Sequence, residues 1–428
     1  MNIGENGHLF MGSIDIADIV QRTGTPAYIY DVTTIERKIK QIQTSMHDKT
    51  ELFYSLKANP NPSIVKLIYD AGANLEICSL LELEIAMQIK ASPKRVLYLG
   101  PGKTKEEIRA VLEFGVEYFI IESFQELELI NEMASRLKRK VKAGIRFNLN
   151  SSAKGSKLIM GGKPRQFGID EEQAETLIDT AQKMKNIMIN GIHVYNGTRI
   201  LQSDVLVDNT KYILEFAQKL YNKHPFNLQY VDIGGGMGIP YFNNETELDF
   251  EQAAVSINQS IEEFHQKVCK PVKILLESGR FIVGESGVYT TKVLYTKESK
   301  GVKFAITDGG TNHHMAAGGM GNALKKNFPV KTLNKMNKPL TEQYNIAGPL
   351  CTPNDVIAKR LETPALEPGD LIGIMNAGAY GLTASPVLFL SHFIPAEVLV
   401  KENKLKIIRE KGQLTGVSAC SLNELLEV

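Results

Sequence analysis

At 428 residues the chain is too long for one small core, which favours two domains, and its 43% hydrophobic and 23% charged residues describe a soluble globular protein. Lys and Arg number 49 against 48 Asp and Glu, a net charge of +1, which gives no electrostatic ground for nucleic acid or an anionic membrane as partner. The cysteines Cys78, Cys269, Cys351 and Cys420 lie far apart, with neither CxxC metal spacing nor a disulfide framework, and the opening MNIGENGHLFMGSIDIADIV lacks a basic stretch leading into an apolar core. A cytoplasmic protein without a membrane span is expected.

In chain order, PAYIYD (26–31) is strand-like. Eight β-rich runs follow: ELFYSL (51–56), NLEIC (74–78), RVLYLG (95–100), YFIIES (118–123), AGIRFNL (143–149), MINGIHVY (188–195), YVDIG (230–234) and KILLES (273–278). Between them lie amphipathic segments such as SIVKLIYDAG, LLELEIAMQIK, KEEIRAVLEFG and DNTKYILEFAQKLYNKH, whose apolar residues recur every three to four positions. About eight βα units in this length predict an α/β fold of the (β/α)8, TIM-like barrel type, with a doubly wound open sheet as the alternative. Position decides for the barrel: Lys57, Arg146, His193, the glycines after Asp232, and Glu277 all fall at carboxyl ends of predicted strands, where a barrel gathers its reactive groups. After about residue 285, GVYTTKVLYTKES, KFAITDGG, LIGIMNAG, AEVLVKEN and KLKIIREKG alternate without long helices and predict a C-terminal antiparallel β domain, which PAYIYD joins. The domains are expected at 30–285, the barrel, and at 1–29 with 286–428, the β-rich part.

Several motifs carry chemistry. Lys57 stands at the end of an apolar run that Ala-Asn-Pro-Asn-Pro then stops, either as a solvated end-cap or as a positioned amine. Gly102-Lys103-Thr104 imitates a phosphate loop, but Leu97 occupies the place of its first glycine, so a strand-to-helix turn is expected. Gly234, Gly235 and Gly236 directly follow a strand, and bare backbone N–H groups can approach a phosphate closely. In ESGRF, Glu277 ends the last barrel strand, with Gly279 and Arg280 next; a carboxylate there can hold a protonated ring nitrogen, a guanidinium a phosphate, or the two form a buried ion pair. His193 in HVYNG is a core histidine unless that rim holds a flat ring. Together, an amine for an aldehyde, a ring for stacking, amides for phosphate and an acid for a pyridine nitrogen make a holder for pyridoxal phosphate. The pair His313 and His314 is a weak metal signal, and no metal site is expected.

In YSLKAN, EICSLLEL, HVYNGT, DIGGGMGIPY, ESGRF, GPLCTPND and AGAYG, spread in order over nearly the whole chain, the sequence resembles the fold-type III pyridoxal-phosphate decarboxylases, the group of ornithine, arginine and diaminopimelate decarboxylases. The resemblance implies that Lys57 condenses with the cofactor aldehyde, His193 stacks on the ring, and Gly234, Gly235, Gly236 and Arg280 with Tyr380 hold the phosphate, while Glu277 keeps the pyridine nitrogen protonated. It further implies a homodimer with shared active sites, Cys351 and Asp355 being lent by the second subunit, Cys351 as a proton donor. Arg146 and Asp355 are expected at the substrate. Two departures bear on that substrate. Where the diaminopimelate branch writes C-E-S-x-D, with a glutamate for the distal ammonium, this chain has Thr352; where it writes Arg-Pro-Ala-Leu-Tyr for the distal carboxylate, this chain has TDGGTNHHMAAGGMGNA. GPGK (100–103), MGGKPRQFG (160–168), GPLCTPND and SPVLFLSHFIP (385–395) are instead similar to decarboxylases that act on a glutamyl group held by an acyl carrier protein, with a siderophore branch sharing LCTPxD. The expectation is an amino acid decarboxylase of antibiotic or siderophore biosynthesis acting on a carrier-bound or conjugated substrate. Free diaminopimelate is the first alternative, ahead of a racemase or a non-catalytic homologue.

Overall fold

The computed structural model describes residues 1–150, 158–159 as backbone, 164–242, 244–319 and 326–412. The chain forms two compact units, one of Glu36–Pro240 and Thr246–Ile282, the other of Met1–Ile35, Tyr241–Glu245 and the described residues from Val283 on. Cys420 and the MGGK part (160–163) of the MGGKPRQFG segment lie outside the described residues.

The first unit is the barrel. Its strands are β1 (Thr50–Ser55), β2 (Asn74–Ile77), β3 (Val96–Tyr98), β4 (Tyr118–Ile121), β5 (Val141–Asn148), β6 (Ile187–Val194), β7 (Tyr230–Asp232) and β8 (Lys273–Ser278). Each pairs in parallel with the next, and β8 pairs with β1 to close the ring. Helix α1 (Val32–Ser45) leads into β1, and α2 (Pro62–Asp70), α3 (Leu80–Gln88), α4 (Lys105–Phe114), α5 (Phe124–Arg136), α6 (Ala174–Gln182), α7 (Ser203–Lys223) and α8 (Phe250–Val268) follow β1 to β7 in turn.

Local chemistry sets these boundaries. After β1, the Asn61 side chain accepts the Ser63 N–H and Pro62 takes the first helical position, so the run Ala-Asn-Pro-Asn-Pro both stops a strand and starts α2. The Gly-Lys-Thr run is a turn: Thr104 and Glu107 form a capping box for α4, and buried Lys103 donates to the Gly100 carbonyl at 2.7 Å and to Glu126 at 2.5 Å. The interior is packed solid by Phe53, Leu97, Tyr118, Ile120, Tyr230 and Leu275. The Tyr230 ring fills the space that side chains at Gly144 and Gly191 would otherwise take; a Cβ at Gly191 would collide with it.

The second unit contains β9 (Gly287–Ser299), β10 (Val302–Thr307), β11 (Val330–Thr332), β12 (Glu342–Ala347), β13 (Val356–Thr363), β14 (Leu371–Ile374), β15 (Ala396–Lys401) and β16 (Lys404–Arg409), joined by the early strand Ala27–Asp31. Most pairs are antiparallel, but the sheet is mixed: β10 runs parallel to β12, and Ala27–Asp31 parallel to β15. Both parallel partners are separated by long connections, as parallel pairing requires. Ile16, Ile19, Ile29, Val288, Leu333, Val398 and Val400 form a core of this unit. Among the described residues no helix is long and apolar enough to cross a membrane.

Candidate active site

The carboxyl ends of the barrel strands converge on a buried polar cluster. Lys57 sits in a single 3₁₀ turn, Leu56–Ala58, immediately after β1. A Cβ on Gly279 would stand 2.7 Å from the Ala58 Cβ, so this glycine lets the turn after β8 pack against the turn that carries Lys57. The Lys57 amine lies 2.5 Å from Glu76 Oε1 and 5.8 Å from the centre of the Tyr195 ring, with its side chain 39% exposed while Glu76 is fully buried. Ser55 also donates to Glu76, and the Cys78 thiol lies 3.6 Å from it.

On the facing strands, His193 of β6 donates from Nε2 to Glu277 Oε1 of β8 at 3.1 Å, both groups being buried. Asp232 at the end of β7 stands with them, its ligand atom within 4.8 Å of theirs, and accepts the Gly234 N–H at 2.8 Å. The glycines make this approach possible. Gly234 and Gly236 have φ of +65° and +87°, a Cβ at Gly234 would be 2.6 Å from the Val194 carbonyl oxygen, and one at Gly235 would collide with the Glu277 carbonyl.

Three carboxyl groups share this small volume, and their surroundings push them apart. Burial and the neighbouring Glu277 charge raise Glu76 to about 7, against the pull of Lys57. Burial and Glu277 likewise drive Asp232 well above the usual carboxylate range. Burial also works to raise Glu277, but the His193 hydrogen bond and the His193, Lys57 and Arg146 charges outweigh it and hold Glu277 low. Burial lowers His193, against the pull of the Glu277 hydrogen bond and charge. Within the cluster Glu277 is thus pushed toward its charged form and Glu76 and Asp232 toward their neutral forms, a division that suits a site needing one ionised carboxylate.

Arg146 at the end of β5 is buried, paired with Glu122 at 3.2 Å and set 4.8 Å from the Phe167 ring. Glu122 also accepts the N–H groups of Gly100 and Gly168, so Arg146 helps to tie three loops of the rim. Arg280, half-buried, opens the short helix Arg280–Val283. The remaining expected residues belong to the β-rich unit. Tyr380 adopts φ +54°; Cys351 is exposed with a free thiol. Asp355 is buried, and its carboxylate accepts from the Thr311 N–H and hydroxyl at 2.7 and 2.9 Å and from the Leu350 N–H at 2.8 Å, which commits it to shaping the loop. His313 and His314 are buried among Tyr28, Tyr289 and Phe328, and burial lowers both to about 4. They act as packed core histidines.

Sequence reasoning passed over Glu76, Cys78, Tyr195 and Asp232 as members of the cluster, and Glu82, which accepts the Cys78 N–H at 2.7 Å. Glu76 and Asp232 carried the available signal, a charge inside an otherwise apolar strand.

Among the described residues, the buried atoms His193 Nδ1, Asp232 Oδ2 and Ser278 Oγ have no hydrogen-bond partner, and such atoms are costly unless something completes them. A reachable amine, an ionised carboxylate and a glycine turn fit pyridoxal phosphate. The profile of the family described as "Pyridoxal-dependent decarboxylase, pyridoxal binding domain" matches residues 32–284. The chain is 34% identical to the L-glutamyl-[BtrI acyl-carrier protein] decarboxylase of Niallia circulans, over 95% of this chain and 96% of that protein. It is 31% identical to the diaminopimelate decarboxylase of Aquifex aeolicus, over 95% and 94%. The crystal structure of the M. jannaschii diaminopimelate decarboxylase in complex with L-lysine superposes with a TM-score of 0.86 at 26% identity, covering 96% of this chain and 94% of that one.

Fold and site thus define a pyridoxal-phosphate enzyme of the barrel type. The chain belongs to the pyridoxal-dependent decarboxylases, the ornithine, arginine and diaminopimelate decarboxylase family, and is an amino acid carboxy-lyase.

Proposed function

We propose that this enzyme removes the α-carboxylate from an amino acid whose side chain is joined to a larger group, a glutamyl unit on an acyl carrier protein being the type, in the cytoplasm and within antibiotic or siderophore biosynthesis. The observation that carries this reading is Thr352. At the place where a diaminopimelate decarboxylase would set a glutamate for the distal ammonium, this chain has an uncharged residue whose hydroxyl accepts the Asn354 N–H at 3.3 Å. A substrate whose far end is attached to a carrier needs no reader there. The likeness to a decarboxylase named for a glutamyl carrier protein supports the same reading.

When bound, pyridoxal phosphate supplies an aldehyde for amines and a protonated ring that accepts the electron pair left by departing carbon dioxide. On this reading Lys57 holds the aldehyde, and Glu76 beside it takes up or returns the proton of its amine. Glu277 is the carboxylate that would keep the ring nitrogen protonated, with His193 presenting its flat face. Gly234, Gly235, Gly236, Arg280 and Tyr380 hold the phosphate, Gly279 allows the turn that positions Arg280, and Arg146 orients the substrate side of the rim through Glu122. In a homodimer with shared sites, Cys351 of one subunit returns a proton to the substrate carbon of the other, and Asp355 shapes the loop that carries it.

Carbon dioxide release measured on glutamyl carrier protein, free glutamate, lysine, ornithine and meso-diaminopimelate tests the reading. Turnover of the carrier-bound substrate at least about 10²-fold faster than of any free amino acid is expected. The second reading, free meso-diaminopimelate, is favoured by the likeness to the Aquifex and M. jannaschii enzymes, and rapid turnover of that compound would establish it instead.

A further inference from the structure

The β-rich unit carries a groove of about 820 Å³ between Phe242, the segment 326–340 and strand β13. Its floor is apolar: the Phe242 and Phe328 rings meet edge to face with centres 5.9 Å apart, and Leu340 in its wall is 63% exposed. Its rim is basic. Lys326, Lys331, Lys338 and Arg360 are all exposed, and the Lys326 amine lies 5.8 Å from the centre of the Phe242 ring. None of the four forms an ion pair among the described residues, whereas Lys335 beside them is tied to Glu367 at 2.9 Å and to Asp370 at 2.8 Å. Glu362 is the one acid among the described residues that line the groove.

This charge is local. The lining sets five cations against one acid, while the whole chain has a net charge of only +1, so the rest of the sequence is net negative. An acidic partner is therefore disfavoured elsewhere and steered to this groove. A basic rim around an apolar floor matches an amphipathic helix whose apolar stripe is flanked by Asp and Glu. Nucleic acid fits less well, because a phosphate backbone needs a longer basic track and has nothing apolar to set against Phe328 and Leu340. Strand β13 links the groove to the loop of Cys351, Thr352 and Asp355. It begins directly after Asp355, and Arg360 stands five residues further on, at most about 17 Å of strand. A cargo on a flexible arm can cover that distance.

We propose that this groove seats an acidic, amphipathic helix of the carrier protein that brings the substrate. The inference rests on the carrier-bound reading of the substrate and adds the surface on which the carrier docks. The groove supplies attraction and orientation and touches no reacting atom, so its charges act on KM and leave kcat alone.

The test measures carbon dioxide release from glutamyl carrier protein by the holoenzyme, for the wild type and for two triple variants. One combines Lys326→Glu, Lys331→Glu and Lys338→Glu on the rim; the other makes the same charge change away from the groove with Lys297→Glu, Lys300→Glu and Lys404→Glu. All six side chains are exposed, so both variants should fold. The rim variant is expected to raise KM for the carrier substrate at least about 10-fold, with kcat within about twofold of the wild type, and the control variant to change KM by less than about threefold. Added salt should raise the wild-type KM and leave that of the rim variant nearly unchanged. The cofactor absorption band and the slow turnover of free glutamate should be the same in all three proteins. Equal KM for the rim and control variants would overturn the groove while the carrier-bound reading stood. A wild type that prefers free glutamate to the carrier would overturn that reading and the groove's occupant with it. Binding of a short DNA duplex that only the rim variant loses, with carrier KM unchanged, would assign the rim to nucleic acid and overturn the proposal.

Discussion

Strands β1 and β8 lie side by side and carry charge at both ends, but the two ends treat it oppositely. At their amino ends, Lys273 meets Glu51 at 2.6 Å and the Tyr118 hydroxyl at 3.1 Å, with the lysine about half exposed. Burial works against the Lys273 charge, yet its hydrogen bonds to Glu51 and Tyr118 prevail and raise its pKa. At their carboxyl ends, Lys57, Glu76 and Glu277 are crowded with Asp232 and His193, carboxyl groups are raised by burial, and buried polar atoms lack partners among the described residues. One end pairs its charges near water; the other crowds them in a buried cluster whose His193 Nδ1, Asp232 Oδ2 and Ser278 Oγ are left for a cofactor and substrate to complete.

The largest effect should come from Lys57→Ala. Removing the amine that receives the cofactor aldehyde is expected to cost at least about 10⁴-fold in kcat and to abolish the visible absorption band of the bound cofactor. The circular dichroism spectrum of the folded barrel should be unchanged, because this side chain is 39% exposed and fills no core. A variant that keeps its absorption band would separate Lys57 from the cofactor and end the contrast between the two rims.

Glu76 sharpens the same contrast through pH. Its folded pKa is raised from 4.5 to about 7, chiefly by burial. The folded protein therefore binds a proton more tightly there than the unfolded chain, and native stability falls as pH rises through that window. Glu76→Gln mimics the protonated form and removes this slope. The cofactor-free variant should match the wild type at pH 4.5, gain on it up to about pH 7 by as much as about 3 kcal/mol, and run parallel above. Glu277 has the opposite sign: its pKa is lowered, so its contribution is present above the unfolded value and is lost in acid. Urea unfolding at a series of pH values reads both.

How much of this was legible depended on distance in sequence. The barrel strands announced themselves as short apolar runs between amphipathic segments, and Lys57, His193 and Glu277 stood out as polar groups at strand ends. Glu76 did not, because whether the third residue of NLEIC faces the pocket or the helices depends on which face of β2 turns inward. The Arg146 pair with Glu122 joins the ends of the neighbouring strands β5 and β4 across an intervening helix, and no local pattern reports it. Strands β12 and β13 were missed because EQYNIA and VIAKRLET are half polar, with β13 exposing Lys359, Arg360 and Glu362. The early strand Ala27–Asp31 was legible as a strand, but its parallel partner β15 lies across the whole barrel sequence.

The smallest effect is expected at the satisfied end. Lys273→Met keeps the aliphatic stem that covers Tyr118 and removes only the amine paired with Glu51. Because the pair is partly exposed and screened by water, the loss should be small, about 0.2–1 kcal/mol of unfolding free energy, shrinking in high salt. Its kcat should equal that of the wild type, since the substitution leaves the charges around Glu277 untouched. A marked fall in kcat with unchanged stability would mean that charge at the amino ends of β1 and β8 is sensed at their carboxyl ends. The two rims would then be electrostatically coupled through the barrel interior, and the division between a stabilising end and a reactive end would fail.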